Sequence, residues 1–160
     1  MGFIQTLSGK KFDYLNSTAD DIVIEDIAMA QHSVLCSQIV PPEFALEALL
    51  HDGEEAYCCD LPTPLKVLVP DYRFIAARID RLIRHKYNLP AEISQVVKYA
   101  DLTMLKTERR DLDIDDGTLW PMLAGIPTSD LIQIIPLRPG QAYGLFMNRF
   151  NELEEARACA

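Results

Sequence analysis

Prolines constrain this chain more than any other residue. Pro41-Pro42, Pro62, Pro64, Pro70 and Pro90 cut residues 20–110 into segments of helix length. Proline removes a backbone donor and clashes with the preceding turn, so it is tolerated at the start of a helix but not inside one. Between these breaks the apolar residues recur at helical spacing. Asp20 and Asp21 are placed to cap a helix over Ile22–Ala28, and helical character resumes from His32 to Val40. Pro41-Pro42 stops that helix, and Pro42 opens a second over Glu43–Tyr57. Pro62 and Pro64 predict an extended connection. A third helix follows over Pro70–Tyr87, with an apolar stripe of Phe74, Ala77, Ile79, Leu82 and Ile83. A fourth runs over Ala91–Arg110, with Ile93, Val97, Met104 and Leu105 facing inward.

The two ends read differently. Phe3–Leu15 is predicted to form a β-hairpin, with the turn at Ser8-Gly9. Residues 118–139 contain Pro and Gly and are read as holding a short strand at Leu131–Ile135. Gly140–Ala158 is a final amphipathic helix. The expected fold is mainly α: a helical bundle with a small N-terminal β-hairpin, in one domain spanning residues 1–160.

Composition excludes some function classes. The formal net charge of −9 opposes general binding to nucleic-acid polymers, which requires clustered Lys and Arg. It leaves a nucleotide substrate open, because a metal ion and a few basic groups can reverse the local field. No apolar run approaches the ~18 residues of a membrane span, and no signal peptide is evident at the N-terminus. Of the four cysteines, Cys58 and Cys59 are adjacent, and no Cys-x-x-Cys spacing occurs. The expectation is reduced thiols in a cytoplasmic protein, with Cys36 packed in the core.

Chemistry-bearing residues fall in a definite order. His32 lies in the first helix, His51-Asp52 follows the apolar run that begins at Glu43, and Asp101 lies in the fourth helix. Two imidazoles and two carboxylates from separate elements make a borderline ligand set, suited to Zn, Co, Mn, Ni or Fe. Downstream of the pair, His51-Asp-Gly-Glu-Glu-Ala-Tyr57 is followed by Asp60-Leu-Pro-Thr-Pro-Leu-Lys66. On the second helix, Glu55 lies four residues after His51 and three after Asp52 and so shares their face, whereas Glu54, roughly 100° around it, is solvated. Lys66, after a rigid turn, is placed either to neutralise a phosphate oxygen or to pair with Asp60. Lys98, one turn before Asp101, is a second phosphate candidate or a solvated charge. His85 reads as surface. Trp120 reads as a packing anchor. Arg109-Arg110 reads as a helix-dipole arrangement or an intersubunit contact.

The order His, His-Asp, Asp, together with the acidic turn and the Asp-x-Pro-x-Pro-x-Lys stretch, resembles the HD superfamily of metal-dependent phosphohydrolases. The resemblance covers about residues 3–111 and is to the branch of 5'-deoxynucleotidases and small nucleotide hydrolases. It implies one divalent transition metal on His32, His51, Asp52 and Asp101. It also implies catalytic roles for Glu55 and Asp60, a deoxynucleoside 5'-monophosphate substrate, and a homo-oligomer of at least two chains. The alternatives are a deoxynucleoside triphosphate triphosphohydrolase and a metal-bearing nucleotide-binding regulatory protein without turnover. Cyclic-nucleotide or alarmone hydrolysis is less favoured. The chain departs from the pattern before His32: relatives carry a longer approach with an Arg-Phe or Arg-Trp element, whereas no Arg or aromatic residue lies between Tyr14 and His32.

Overall fold

A computed structural model describes residues 3–5, 11–13, 19–112, 114–115 and 117–159; side chains are described from Met29 onward, apart from residues 63 and 64. The architecture is mainly helical. β1 (Phe3–Gln5) and β2 (Lys11–Asp13) pair antiparallel, with Ile4 opposite Phe12. The expected turn at Ser8-Gly9 lies outside the described residues. The helices are α1 (Ala19–Ile39), α2 (Ala45–Leu49), α3 (Glu55–Cys58), α4 (Thr63–Leu68), α5 (Pro70–Lys86), α6 (Gln95–Asp111) and α7 (Pro139–Ala158), with 3-10 turns at Pro42–Phe44 and Pro121–Leu123.

α1 is the central element, packed against α2, α6 and α7. It is one continuous helix rather than the two expected segments, and its start at Ala19 places Asp20 and Asp21 inside it. The core joins Cys36 of α1, Ala48 of α2, Val97 and Met104 of α6, and Ile134 of the following loop. The final helix enters at Pro139, where the Gln141 side chain accepts a hydrogen bond from the Arg138 amide at 3.1 Å. α5 ends in a Schellman motif. Asn88 takes a positive φ of 53°, while the Leu89 and Asn88 amides donate to the carbonyls of Arg84 and His85 at 2.9 and 3.3 Å.

Several expected boundaries are corrected. Residues 43–57 do not form one helix: α2 stops at Leu49, residues 50–54 turn, and α3 starts at Glu55. The His51 ring helps to end α2 by bonding through Nδ1 to the Ala48 carbonyl at 2.8 Å, one of the acceptors a helix end leaves open. Gly53 then lets the turn close tightly, since a Cβ there would lie 3.1 Å from the Leu50 carbonyl oxygen and 3.2 Å from Ile83 Cδ1. The connection at Pro62–Pro64 is not extended throughout. Pro62 caps α4 and Pro64 sits in its first turn, where proline is compatible with a helix. α6 starts at Gln95, not Ala91. Of the α5 stripe, Phe74, Ala77 and Leu82 are exposed and Ile79 and Ile83 half-buried, and the residue that α5 buries is Arg84.

No strand forms at Leu131–Ile135. Side chains take up the backbone groups that a neighbouring strand would have paired. Arg110 donates to the carbonyls of Ser129 and Ile132, and Asp111 accepts from the Ile134 amide. Thr107 Oγ1 accepts from the Ser129 amide, and Gln31 donates to the Ile135 carbonyl and accepts from the Leu137 amide. Arg110 therefore stitches the loop to α6, and Arg109 donates to the Thr118 carbonyl. Arg109 also ion-pairs with Asp115 and stacks over Trp120, 4.3 Å from the ring centroid.

Buried charge locks α2 to α5 and α6. Glu47 accepts from the Ser94 amide at 2.8 Å and the Ser94 hydroxyl at 2.6 Å, and Arg84 Nη1 lies 3.4 Å away. Arg84 in turn binds Asp80 and the Pro90 carbonyl. Removing one partner of such a set leaves the other charge buried and unpaired. Glu47→Ala is expected to cost about 3–5 kcal/mol in urea unfolding, the usual penalty for breaking a buried pair. A loss below about 1 kcal/mol would show that water replaces the carboxylate freely.

Candidate metal centre

Three elements bring the four candidate ligands together. α1 supplies His32, the turn after α2 supplies His51 and Asp52, and α6 supplies Asp101. His32 Nε2 lies 3.2 Å from Asp101 Oδ1, and His51 Nε2 lies 3.1 Å from Asp52 Oδ2 and 3.9 Å from Asp101 Oδ1. The two imidazole centroids are 5.5 Å apart. The imidazoles form a floor and the carboxylates a rim: the side chains of His51 and His32 are 2 % and 12 % exposed, those of Asp52 and Asp101 36 % and 37 %.

Hydrogen bonding fixes which nitrogen of each ring faces the cluster. His51 Nδ1 donates to the Ala48 carbonyl, and His32 Nδ1 donates to Glu108 Oε1 at 2.8 Å. A neutral imidazole with Nδ1 as donor carries its lone pair on Nε2. Both lone pairs therefore face carboxylate oxygens, an arrangement that repels unless a cation or a proton lies among them. His51 Nε2 is buried and has no hydrogen-bond partner. A ligating histidine typically donates its other ring nitrogen to a carboxylate or backbone carbonyl, and both rings do so. The donor set thus fits a divalent transition ion. Sequence reasoning missed Glu108, although it lies two turns beyond Asp101 on α6.

A second cluster adjoins the first. Lys66 Nζ is 2.5 Å from Asp60 Oδ1 and 3.4 Å from Glu55 Oε1. Glu55 is 9 % exposed. Carboxylate oxygens of Asp52, Glu54 and Glu55 lie within 4.8 Å of one another, which connects the clusters. Glu55 reaches Asp52 through the 50–54 turn, not by sharing a helix face. For the same reason Glu54 is not a solvated charge: one of its carboxylate oxygens is buried without a hydrogen bond. Of the two alternatives for Lys66, the structure contains the pairing with Asp60. The residue before Asp60, Cys59, holds φ 59° and ψ 160°, a strained conformation for any residue but glycine. Lys98 is not drawn into these clusters. It is exposed, and its ammonium takes part in none of the described hydrogen bonds or ion pairs. His85 is exposed, as expected. A cavity of about 940 Å³ opens between the end of α1, α6 and the loop after it, lined by Ile39, Val96, Tyr99, Leu131 and Ile132 among others. None of the candidate site residues lines it.

Charge coupling across the site sets a pH dependence. Burial opposes protonation of both imidazoles, but Cys36, Glu108 and Asp101 around His32, and Asp52 and Asp101 around His51, outweigh it and hold both well above the ordinary 6.5. Burial also opposes ionisation of Asp52 and Asp101, yet the histidines hold both below the ordinary carboxylate value. Glu55 is pushed up to about 8 by burial, then by Asp52 and Asp60. In metal-free protein, the histidine contribution is complete below about pH 6.5 and is lost as pH rises through the raised folded values. Glu55 acts in the same direction between 4.5 and about 8. The Asp52 and Asp101 contribution is lost as pH falls below about 4. The Tm of chelator-treated protein is therefore expected to peak between roughly pH 4 and 6.5 and to fall towards pH 9. Zinc added at pH 8 should raise it again, by binding the folded state alone. A chelated protein whose Tm stays flat or rises from pH 6 to 9 would contradict the coupling.

A mainly helical protein with a two-histidine, two-carboxylate cluster between its helices is thus the class that fold and site define. No family model matches the chain. It is 55% identical to the Escherichia coli (strain K12) protein carried under the name uncharacterized protein YfdR, over 178 residues that cover all of both chains. It therefore belongs to the YfdR family. Because this chain has 160 residues, at least 18 of the 178 aligned positions (178 less 160) fall in gaps on its side. It is also 28% identical to a Rhodobacter capsulatus protein, uncharacterized protein RCAP_rcc00048, over 138 residues, covering 66% of this chain and 70% of that one.

Proposed function

We propose that this chain is an HD-type metal-dependent phosphohydrolase acting on nucleotides, foremost as a 5'-nucleotidase of deoxynucleoside monophosphates. The observation that carries the proposal is the pair of buried imidazoles, each held through Nδ1 with its Nε2 lone pair turned towards Asp52 and Asp101. His32, His51, Asp52 and Asp101 would hold one divalent transition ion. When bound, such an ion supplies Lewis acidity towards a phosphoryl oxygen and lowers the pKa of water. Glu55, buried behind Asp52, is positioned to exchange a proton with the attacking water or the leaving oxygen. Asp60 fixes the Lys66 ammonium beside Glu55. Lys66 is the basic group these clusters contain, which supports a monophosphate over a triphosphate substrate.

Purified protein assayed with Mn, Co or Zn against a panel of nucleoside and deoxynucleoside mono- and triphosphates tests this reading. Release of inorganic phosphate from monophosphates is the expected result. Triphosphate release would identify a triphosphohydrolase. Tight nucleotide binding without turnover would identify a regulatory protein and overturn the enzyme assignment.

The proposal includes a homo-oligomer, with a dimer as the minimal unit. On α7, Ala142 is buried and Arg149 donates to Ser37 of α1, so this side of the helix packs within the chain. Exposed Phe74, Ile75 and Leu82 on α5, with Val67 and Leu68 on α4, are better candidates for a contact. Light scattering at micromolar concentration should return at least twice the chain mass of 18.1 kDa, and a monomer would remove the claim.

A further inference from the structure

We propose that Cys36 is a further ligand of this metal centre, as a thiolate that biases it towards zinc or cobalt and away from manganese and magnesium. The inference rests on the metal-centre reading above and extends it to a residue outside the His, His-Asp, Asp pattern. Cys36 follows His32 by four positions on α1, so the two side chains lie on one helix face. Its Sγ is 3.4 Å from His32 Nε2, the nitrogen turned towards the carboxylates. Donor atoms of His32, Cys36 and His51 all lie within 4.8 Å of one another. With zinc–ligand bonds of about 2.0–2.3 Å, donor atoms at the roughly 90–120° angles of a five-coordinate site are ~2.8–4.0 Å apart. The Cys36–His32 separation of 3.4 Å and the His32–Asp101 separation of 3.2 Å both fall in that range.

A second, independent observation is the buried, unpartnered Nε2 of His51, which belongs to the same trio and whose side chain is 2 % exposed. Cys36 itself is fully buried. As a core residue alone, its thiol would pack against Ala48, Val97, Met104 and Ile134 and could donate a weak S–H bond to His32. That bond occupies one imidazole lone pair but leaves the His51 Nε2 lone pair facing Asp52 and Asp101. Coordination uses the sulfur and both rings together. On binding, the sulfur–metal bond replaces the S–H bond and the proton passes to buffer, so no oxidant or reductant is required. Soft sulfur favours zinc and cobalt(II) over the hard ions manganese and magnesium.

The test is a cobalt(II) titration of the full-length, chelator-stripped protein, followed by near-ultraviolet absorption, with zinc and manganese affinities from competition against a chromophoric chelator. Wild type should develop a thiolate-to-cobalt charge-transfer band. Cys36→Ser and Cys36→Ala should keep native circular dichroism and still bind cobalt, but without that band. Zinc affinity should fall ~10-fold or more, at least the loss typical of disturbing a supporting group, while manganese affinity changes little. A Cys58→Ser/Cys59→Ser/Cys159→Ser variant should retain the band. If cobalt binds with His51-dependent affinity but the band is absent, or unchanged in both Cys36 variants, the thiolate ligand is overturned and the histidine–carboxylate centre stands. If cobalt affinity is the same in wild type and His51→Ala, both readings fail. Misfolding of one variant leaves the other, and the wild-type band, to decide.

Discussion

His51→Ala yields a folded protein that binds no metal at the site and releases no phosphate above background. This is the largest single effect expected. The ring is buried at the centre of the cluster, with Nδ1 held by the Ala48 carbonyl and Nε2 turned to Asp52 and Asp101, so no neighbouring side chain replaces its nitrogen. Loss of the Ala48 hydrogen bond costs about 0.5–1.5 kcal/mol, small against the 5–15 kcal/mol stability usual for a domain. Elemental analysis after dialysis, circular dichroism and phosphate release together check the result. Full metal content with normal turnover would show that the histidine is structural.

The second large effect falls on chemistry and spares the metal. Glu55→Gln keeps the shape of the side chain and its capacity to hydrogen-bond, while removing a carboxyl whose titration is pushed up to about 8. A group that titrates near neutrality can accept and return a proton in one cycle, and its loss typically lowers turnover ~10²–10⁴-fold. Metal content and nucleotide affinity should change little, because four ligands are provided without Glu55. Loss of metal in Glu55→Gln would make Glu55 a ligand. Near-normal turnover would move the proton-transfer role to Asp60, which shares Lys66 with it.

Much of the helical framework was legible because the prolines mark its joints and Val97, Met104 and Cys36 fall at core spacing. The His, His-Asp, Asp set was legible as an ordered pattern, and the fold brings all four members together. Other features depended on tertiary contacts. Residues 43–57 carry a helix-like apolar pattern, yet the His51 ring competes for the Ala48 carbonyl, and the closely packed turn at Gly53 separates α2 from α3. The Ile-rich apolar run at Leu131–Ile135 suggests a strand, but Arg110, Asp111 and Gln31 use the backbone groups a ladder would need. The exposure of Phe74 and Leu82 on α5 could not be anticipated from periodicity, which identifies a stripe without saying what covers it. Glu108 and Cys36 had a signal that went unused. Each lies at a helical spacing from a predicted ligand, seven positions after Asp101 and four after His32, but only the packing of α1 against α6 shows that both approach the same imidazole.

Anomalous X-ray diffraction at the metal edge, from crystals grown with zinc or cobalt, tests the central claim most directly. A single strong peak is expected between the Nε2 atoms of His32 and His51, with oxygens of Asp52 and Asp101 at about 2.0–2.2 Å and both Nδ1 atoms still bonded to Glu108 and Ala48. A site with no peak, and with the two histidines bonded directly to the carboxylates, would contradict the account.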